Sequence, residues 1–349
     1  MNMNTASNPQ HPTTIGVVVI GRNEGDRLKR CLNSLVDSVD LMVYVDSGST
    51  DDSVVFAKSL GVDVVDLDLN KPFTMARGRN EGFDRLMAIK PDVDYVQFVD
   101  GDCEVVEGWI NIARQTLDEN PNYVAVSGRR SERYPEASLY NRLCDIEWNG
   151  PTGIVPNSGG DVMMRTQPFK QVGGFNIAMI AGEEGELTFR LREKGWQIYR
   201  VDTPMTMHDA AMTRFGQWWK RTLRAGHAYA DGMAMHGKSS ERYNVRPVIS
   251  SLVWGLGMPM CALICLIASW FWLPALIGTA MVLLLTIVTW LRIVRGLRVK
   301  SRSISESLLF STFCMLAKLP QALGVAWFCS NRLRGTRSGL IEYKTASAS

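Results

Sequence analysis

Tyr95-Val96-Gln97-Phe98-Val99-Asp100-Gly101-Asp102-Cys103-Glu104 is an apolar run that ends in two carboxylates separated by one glycine. Its β-branched and aromatic residues are typical of a strand buried on both faces, as in a parallel sheet. Open α/β sheets bind ligands beyond the carboxyl ends of their strands, where Asp100 and Asp102 would lie. Carboxylates this close repel each other unless a cation lies between them, which suggests a nucleotide diphosphate held with Mg2+ or Mn2+. A solvated Asp-Gly-Asp turn is the alternative.

Similar apolar runs, separated by helical patterns, lie on both sides of this stretch. The predicted strands are 15–20, 41–45, 62–67, 95–99, 123–127 and 196–201, and the clearest predicted helices are 74–89 and 107–117. Strands that alternate with helices favour an α/β fold with a doubly wound, mainly parallel sheet. The second strand also ends in an acid, Asp46.

Two later segments combine glycine with polar or acidic residues. Pro156-Asn157-Ser158-Gly159-Gly160-Asp161 is too rich in glycine for the interior of a helix or strand, and such loops commonly face ligands. Gly182-Glu183-Glu184-Gly185-Glu186 places three glutamates in the first turn of a predicted helix. The helix dipole favours acids there, so a purely structural role is an alternative to a catalytic one.

Charge is distributed unevenly along the chain. Residues from Arg246 onward carry a net charge of +9, whereas residues 1–245 carry −6. The scattered cysteines form no CxxC pair, which fits a reducing compartment and predicts neither disulfides nor structural zinc. Residues 1–14 are polar and lack the apolar core of a signal peptide, so we predict a disordered N-terminus and a domain that stays in the cytoplasm.

The C-terminal part of the chain, 247–349, is predicted to be a membrane region with a basic tail. Its first 45 residues contain no Asp, Glu, Lys or Arg, which is enough for two spans of about 20 residues, near 252–270 and 275–291. The stretch 305–329 contains Lys318, so we favour an interfacial or re-entrant helix over a third span. Residues 213–246 are predicted to form an amphipathic interfacial helix and linker, with an ordinary helix packed on the core as the alternative.

Five ordered motifs resemble those of the family 2 glycosyltransferases of the GT-A fold. They are Val17-Val18-Val19-Ile20-Gly21-Arg22-Asn23-Glu24, Val45-Asp46-Ser47-Gly48-Ser49-Thr50-Asp51, Ala76-Arg77-Gly78-Arg79-Asn80-Glu81-Gly82, Asp100-Gly101-Asp102 and Gly182-Glu183-Glu184-Gly185-Glu186-Leu187-Thr188-Phe189-Arg190. Several motifs in one order are more specific than any single motif. We therefore predict a GT-A glycosyltransferase domain at 15–212.

The resemblance implies a donor site built from acidic residues. Asp46 and its companion Asp51 would contact the nucleotide, and Asp100 and Asp102 would bind the ribose and the metal-diphosphate. The implied metal ligands are Asp102 and Asp100, and His208 matches a position where some members supply a further ligand. A lone histidine is more often structural, which is the alternative for His208.

The resemblance also implies which residues act on the acceptor. Glu184 would be the catalytic base by its position, with Glu183 beside it, and this chain has Glu-Glu where Glu-Asp is the commonest form. Arg77 or Arg79 could add positive charge near the phosphates, although both would also suit a helix surface. The loop residues expected to contact the acceptor are Asn157, Ser158, Gly159 and Gly160.

The implied activity is that of an inverting, metal-dependent hexosyltransferase. Its cofactor would be Mn2+ or Mg2+, and its partners a nucleotide-diphosphate sugar, a lipid-linked or glycan acceptor and the cytoplasmic membrane, with no nucleic acid. A role in cell-envelope or extracellular polysaccharide synthesis fits this combination. The alternatives are a membrane scaffold that binds nucleotide sugar without turnover and, less favoured, a nucleotidyltransferase, for which Gly21-Arg22-Asn23-Glu24-Gly25 is a poor phosphate loop.

Overall fold

The computed structural model describes residues 13–299 and 302–336, which form parts of two compact units. The first unit comprises residues 1–133, 149–177 and 183–209, and the second comprises residues 134–148, 178–182 and 210–349. Sequence reasoning predicted one domain over 15–212, whereas two internal segments of that range belong to the second unit. Most of the predicted disordered N-terminus, residues 1–12, and most of the basic tail, from 337 onward, lie outside the described residues.

The strands of the first unit form one mixed sheet with the order β3-β2-β1-β4-β8-β6-β9-β5, and β7 pairs with β9. They are β1 (Ile15–Gly21), β2 (Leu41–Asp46), β3 (Asp63–Asp66), β4 (Tyr95–Asp100), β5 (Cys103–Val105), β6 (Tyr123–Glu132), β7 (Gly153–Val155), β8 (Val162–Arg165) and β9 (Gln197–His208). The first four strands are parallel, and β8 runs antiparallel to β4 and β6. The predicted α/β class with a mainly parallel sheet is confirmed.

Thirteen α-helices are found in the described ranges, among them the predicted helix after the third strand. They are α1 (Asp26–Asn33), α2 (Ser53–Ser59), α3 (Met75–Ile89), α4 (Trp109–Glu119), α5 (Leu139–Trp148), α6 (Thr166–Gln171), α7 (Glu183–Glu193), α8 (Phe215–His236), α9 (Val245–Leu252), α10 (Met258–Ala268), α11 (Leu276–Val299), α12 (Ile304–Leu316) and α13 (Lys318–Leu333). A π-helical turn at Val253–Gly257 joins α9 to α10.

Alternating residues of β1 pack into two different cores, one on each face of the sheet. Val17 and Val19 lie in a cluster with Leu28 of α1 and Trp109 of α4. Val18 and Ile20 face the opposite cluster, which α3, α6 and α7 complete. Successive side chains of a strand point to opposite faces, so a continuous apolar run requires helices on both.

Two groups of strands end at the polar edge of the sheet. In the first group β1 lies between β2 and β4, and its last residues pair Gly21 with Asp46 and Ile20 with Asp100. In the second group β9 lies between β5 and β6, and its last residue, His208, pairs with Cys103 and Glu132. Strand register therefore fixes the level at which these acids and the histidine leave the sheet.

The second unit contains three helical segments that are long and apolar enough to cross a membrane by length and composition. They are Val245–Ala268, Leu273–Val299 and Ile304–Leu333. Each of the first two is longer than its predicted span, and the third includes the stretch that sequence reasoning assigned to an interfacial or re-entrant helix. The three long apolar helices indicate membrane association.

Glycine contacts fix α13 against α8 within the second unit. A Cβ at Gly226 would collide with the carbonyl oxygen of Gln321, and one at Gly324 would collide with that of Leu223. The two backbones therefore touch, and the ring centroids of His227 and Trp327 lie 4.4 Å apart. Since α8 is not among the three apolar segments and carries Lys220, Arg221, Arg224 and Asp231, it is too polar for a bilayer core.

This packing leads us to expect two crossings, with α13 held beside α8 at the membrane surface. In a cysteine-light background, Thr336→Cys and Ser240→Cys should react with an impermeant maleimide from the same side of the membrane. Trp272→Cys, in the turn between the first two spans, should react from the opposite side. If Thr336→Cys instead labels together with Trp272→Cys, the third segment crosses the bilayer and the interfacial prediction is wrong.

Candidate active site

Asp46 is held at the end of β2 by three hydrogen bonds. The Tyr44 hydroxyl donates to Oδ1 at 2.9 Å, and the backbone amides of Gly48 and Ser49 donate to Oδ2 at 2.9 and 2.7 Å. Asp46 is buried. The burial of Tyr44 itself and the neighbouring Asp46 carboxylate raise the pKa of Tyr44 far above its ordinary value. This network keeps the Asp46 carboxylate in one orientation.

Asp51 joins the loops that follow β1 and β2. Its carboxylate accepts hydrogen bonds from the amide of Gly25 at 3.0 Å and from the amide of Ser53 at 3.1 Å. Asn23 adds a second link, because its side chain accepts from the Thr50 amide at 2.7 Å. Asp51 therefore has a structural function in this loop pair, whether or not it also meets a ligand.

Arg79 of α3 connects the end of β4 to the start of α7. One guanidinium nitrogen lies 2.8 Å from Oδ1 of Asp100, and the other lies 2.8 Å from Glu183 and 3.4 Å from Glu184. The arginine side chain is only 1% exposed, so the pairs lie in a poorly solvated environment. Burial alone would lower the pKa of Arg79, but the surrounding carboxylates raise it, and the guanidinium stays charged.

Arg77, the other predicted arginine, makes different contacts. Its Nε bonds Glu81 at 2.6 Å, and its Nη1 donates to the backbone oxygens of Asp68 and Lys71 at 2.9 and 3.1 Å. These bonds hold the loop before α3 rather than the acids at the end of β4. The structure thus separates two arginines that the sequence placed together.

A second arginine, Arg130, binds the other side of Asp100. It lies 3.3 Å from Oδ2 of Asp100 and 2.7 Å from the buried carboxylate of Asp161. Asp161 also accepts from the Thr206 hydroxyl at 2.8 Å and from the Asp100 amide at 3.1 Å. Burial would raise the pKa of Asp100, but Arg79 and Arg130 outweigh it and lower that pKa. Asp100 is therefore ionised and faces two guanidinium groups.

The two glutamates at the start of α7 have different environments. The Glu183 side chain is 2% exposed and bonded to Arg79, whereas the Glu184 side chain is 23% exposed and lies farther from that arginine. Burial first, and the charge of Glu183 second, raise the pKa of Glu184 to about 7, against the opposing effect of Arg79. Glu184 can therefore gain or lose a proton near neutral pH.

Asp102, Cys103 and His208 form a compact group of buried ligand atoms, all within 4.8 Å of one another. His208 Nε2 lies 3.3 Å from Oδ2 of Asp102, and Nδ1 lies 3.6 Å from Glu132. Burial raises the pKa of the Cys103 thiol well above its usual value. The carboxylate oxygen of Asp102 and the imidazole nitrogen of His208 are donors that fit a divalent cation such as Mn2+.

The loop from Asn157 to Gly160 reaches the acids through its last residue. Asn157 and Gly159 are exposed, Ser158 is half-buried and Gly160 is buried. A Cβ at Gly160 would lie 2.6 Å from an Arg79 nitrogen and 3.2 Å from both an Asp100 and a Glu184 oxygen. A side chain at this position would therefore force Arg79 and the neighbouring carboxylates to shift.

Sequence reasoning missed Arg130, Asp161 and Glu132 as members of this arrangement. Asp161 closes the predicted glycine-rich loop, so its position was a usable signal. Arg130 and Glu132 lie in the second half of β6, which continues beyond the predicted strand 123–127. Their contacts with Asp100 and His208 depend on strand pairing that no local motif reveals.

The sequence profile of glycosyl transferase family 2 matches residues 16–172. A TPR repeat-containing protein of Synechococcus elongatus is 26% identical over 196 residues, covering 56% of this chain and 41% of that protein. An uncharacterized glycosyltransferase of Rickettsia prowazekii is 31% identical over 120 residues, covering 34% of this chain and 35% of that protein. Each match spans less than half of the relative's length.

Two solved structures resemble this chain over nearly its whole length. A mannosyltransferase from Pyrobaculum calidifontis, in complex with GDP-Man and Mn2+, has a TM-score of 0.55 at 15% identity and covers 92% of this chain and 89% of its own. S. aureus TarS 1-349 has a TM-score of 0.50 at 13% identity and covers 93% of this chain and 92% of its own. Identities this low establish the fold alone. The family 2 glycosyl transferase profile thus matches residues 16–172, and the mixed, mainly parallel sheet matches that of GT-A neighbours.

Proposed function

We propose that this protein is an inverting glycosyltransferase that moves a sugar from a nucleotide-diphosphate sugar to an acceptor at the membrane. The observation that carries the proposal is the ion-pair network in which Arg79 joins Asp100 to Glu183 and Glu184. It brings a candidate donor-binding acid and a candidate base to one edge of the sheet. Open α/β sheets bind ligands at this edge.

The donor would lie across the ends of β2 and β4. Asp46 would accept hydrogen bonds from the base, with Asp51 keeping the neighbouring loop in place, and Asp100 would accept from the ribose. The strand register that places Asp46 and Asp100 on either side of β1 supports this arrangement. Arg77 is better explained by its contacts with the loop before α3 than by a phosphate.

Asp102 and His208 would hold the divalent cation, with Asp100 close by. A bound Mn2+ or Mg2+ would stabilise the negative charge of the departing diphosphate. The imidazole favours Mn2+ over Mg2+, because Mg2+ strongly prefers oxygen ligands. The Mn2+ in the Pyrobaculum structure is consistent with this choice.

Glu184 would act as the general base. Its carboxylate takes the proton from the acceptor hydroxyl while the oxygen forms a bond to the anomeric carbon. The bond from that carbon to the phosphate oxygen breaks, and the diphosphate leaves with the electron pair. A pKa of about 7 suits this function, because a base works best when its pKa lies near the operating pH.

The acceptor is proposed to be lipid-linked or a glycan at the cytoplasmic face of the cytoplasmic membrane, with the loop Asn157–Gly160 contacting it. Membrane association would keep the enzyme close to such an acceptor and raise its effective concentration. A place in cell-envelope or extracellular polysaccharide synthesis would follow from this combination.

A donor screen with the full-length protein in membranes tests the proposal. UDP-, GDP- and dTDP-sugars labelled in the sugar are incubated with and without Mn2+, and free nucleoside diphosphate and labelled product are measured. We expect one donor class to release nucleoside diphosphate and to transfer its label only with the metal. Release of labelled sugar phosphate, with the nucleotide transferred, would identify a nucleotidyltransferase, and binding of the donor without release would identify a scaffold.

A further inference from the structure

We propose that Glu132 is a positioning residue that orients His208 for the divalent cation. The proposal rests on the function proposed above, because it takes His208 as a metal ligand. It adds a residue that neither the motifs nor the comparisons assign to the site. Glu132 itself would touch neither the cation nor the sugar donor.

Strand pairing places Glu132 directly behind the imidazole. Glu132 ends β6, His208 ends β9, and the two residues are register partners. The amide of Arg133 donates to the carbonyl oxygen of His208 at 2.8 Å, which extends the pairing by one residue. The backbone therefore fixes the distance between the two side chains.

The imidazole lies between two buried carboxylates. Nε2 faces Asp102 at 3.3 Å and Nδ1 faces Glu132 at 3.6 Å. The side chain of Glu132 is 0% exposed, and those of Asp102 and His208 are each 7% exposed. A shift of about 0.5 Å would bring Nδ1 to hydrogen-bond distance of Glu132.

The two nitrogens of the imidazole ring have different functions when the ring binds a metal. A metal-binding histidine offers the lone pair of one nitrogen and donates the N–H of the other, usually to a carboxylate or a carbonyl. Glu132 would accept the Nδ1–H, which fixes the tautomer that leaves the Nε2 lone pair directed toward Asp102. A buried carboxylate behind a ligand also makes that ligand more basic, and such outer partners typically contribute about 10- to 100-fold to metal affinity.

Metal affinity in a double-mutant cycle tests this inference. Mn2+ binding to purified full-length protein is measured by electron paramagnetic resonance of the free ion for wild type, Glu132→Gln, His208→Ala and the double variant. We expect Glu132→Gln to bind Mn2+ about tenfold more weakly than wild type. The double variant should bind Mn2+ as His208→Ala does, because Glu132 acts through His208. Pulsed electron paramagnetic resonance of the bound Mn2+ should show coupling to an imidazole nitrogen in wild type. That coupling should be altered in Glu132→Gln.

Glu104→Gln is the matched control, because Glu104 follows Cys103 on β5, points to the other face and pairs with Arg133. It should leave Mn2+ affinity unchanged. Glu132→Asp keeps the charge, so its Mn2+ affinity should lie between those of wild type and Glu132→Gln. If Glu132→Gln does not fold, Glu132→Asp takes its place in the cycle, and wild-type affinity in Glu132→Asp and in its double variant would then count against the inference.

Unchanged affinity in Glu132→Gln, or an equal loss with and without His208, would overturn the inference. If His208→Ala itself leaves Mn2+ binding intact, the error lies in the proposed metal site rather than in Glu132 alone.

Discussion

Replacing Glu184 by glutamine is expected to lower kcat by about 10²- to 10⁴-fold while leaving the affinity for the nucleotide sugar within a few-fold of wild type. Glutamine keeps the size of the side chain but cannot take a proton from the acceptor. Glu184 lies 3.4 Å from Arg79, whereas Glu183 and Asp100 each lie 2.8 Å from it, so the arginine keeps its two shorter ion pairs. Turnover and nucleotide binding, measured on the same preparation, give the two values.

Glu183→Gln should behave differently from Glu184→Gln. It removes one partner of a buried ion pair, but Arg79 keeps Asp100 at 2.8 Å, so the loss of stability should be smaller than the roughly 3–5 kcal/mol that a wholly unpaired buried charge costs. We expect lower thermal stability and weaker donor binding because Arg79 loses an anchor. Glu193→Gln, at the other end of α7, should resemble wild type in every assay. If Glu184→Gln retains full turnover, Glu184 is not the catalytic base.

The pH profile provides a separate check on Glu184. A carboxyl with a pKa of about 7 is mostly protonated below that pH and cannot accept a proton. The wild-type rate should therefore rise as the pH increases through about 7 and then level off. The small residual rate of Glu184→Gln should lack this rise. A wild-type profile that is flat between pH 5 and 8 would contradict the assignment.

The first half of the sheet could be predicted from sequence, and the second half only in part: the predicted strands 123–127 and 196–201 cover the first parts of β6 and β9, and the short strands were missed. Strands β1 to β4 are continuous apolar runs with helices between them, and this local pattern determines parallel neighbours. β5, β7 and β8 have only three or four residues each, so neither length nor periodicity identifies them. β8 also runs antiparallel to β4, an order that only long-range packing sets.

The candidate site shows the same division. The acids at strand ends were visible because an apolar run stops at a carboxylate. The partners that fix their charge were not, because Arg79 meets Glu183 across 104 residues and Arg130 meets Asp161 across 31. Asp100 and Asp102 were predicted to need a cation between them. The structure gives Asp100 two arginines, which relieve much of that repulsion, and places His208 beside Asp102.

The predicted domain, 15–212, includes segments of the second unit for a physical reason. The segment 134–148 lies between two parts of the sheet in sequence, yet α5 contributes Leu143 and Cys144 to a core with Trp218 of α8. Glu147 of α5 also pairs with Arg221 of α8 at 2.8 Å. Apolar residues on a short helix do not reveal which partner they will meet.

Asp102→Asn is expected to remove most metal-dependent activity, with a loss of about 10²-fold or more. Asparagine leaves a neutral oxygen where the cation would find a charged one, beside an imidazole 3.3 Å away. The carboxylate is buried, so water replaces its charge poorly. Mn2+ affinity and the Mn2+ concentration that gives half-maximal turnover should both change, while the fold, measured by circular dichroism, should not.

Asp209→Asn is the appropriate control for this prediction, since Asp209 adjoins His208 but directs its carboxylate toward Arg30 at 3.9 Å. It should keep the Mn2+ response of wild type. If Asp102→Asn retains full turnover, as Asp209→Asn should, turnover does not need a cation held by Asp102 and the proposed metal site is wrong. If Asp102→Asn loses Mn2+ binding and wild type shows no sugar transfer with any donor, the site binds a metal-nucleotide without catalysis, as a scaffold would.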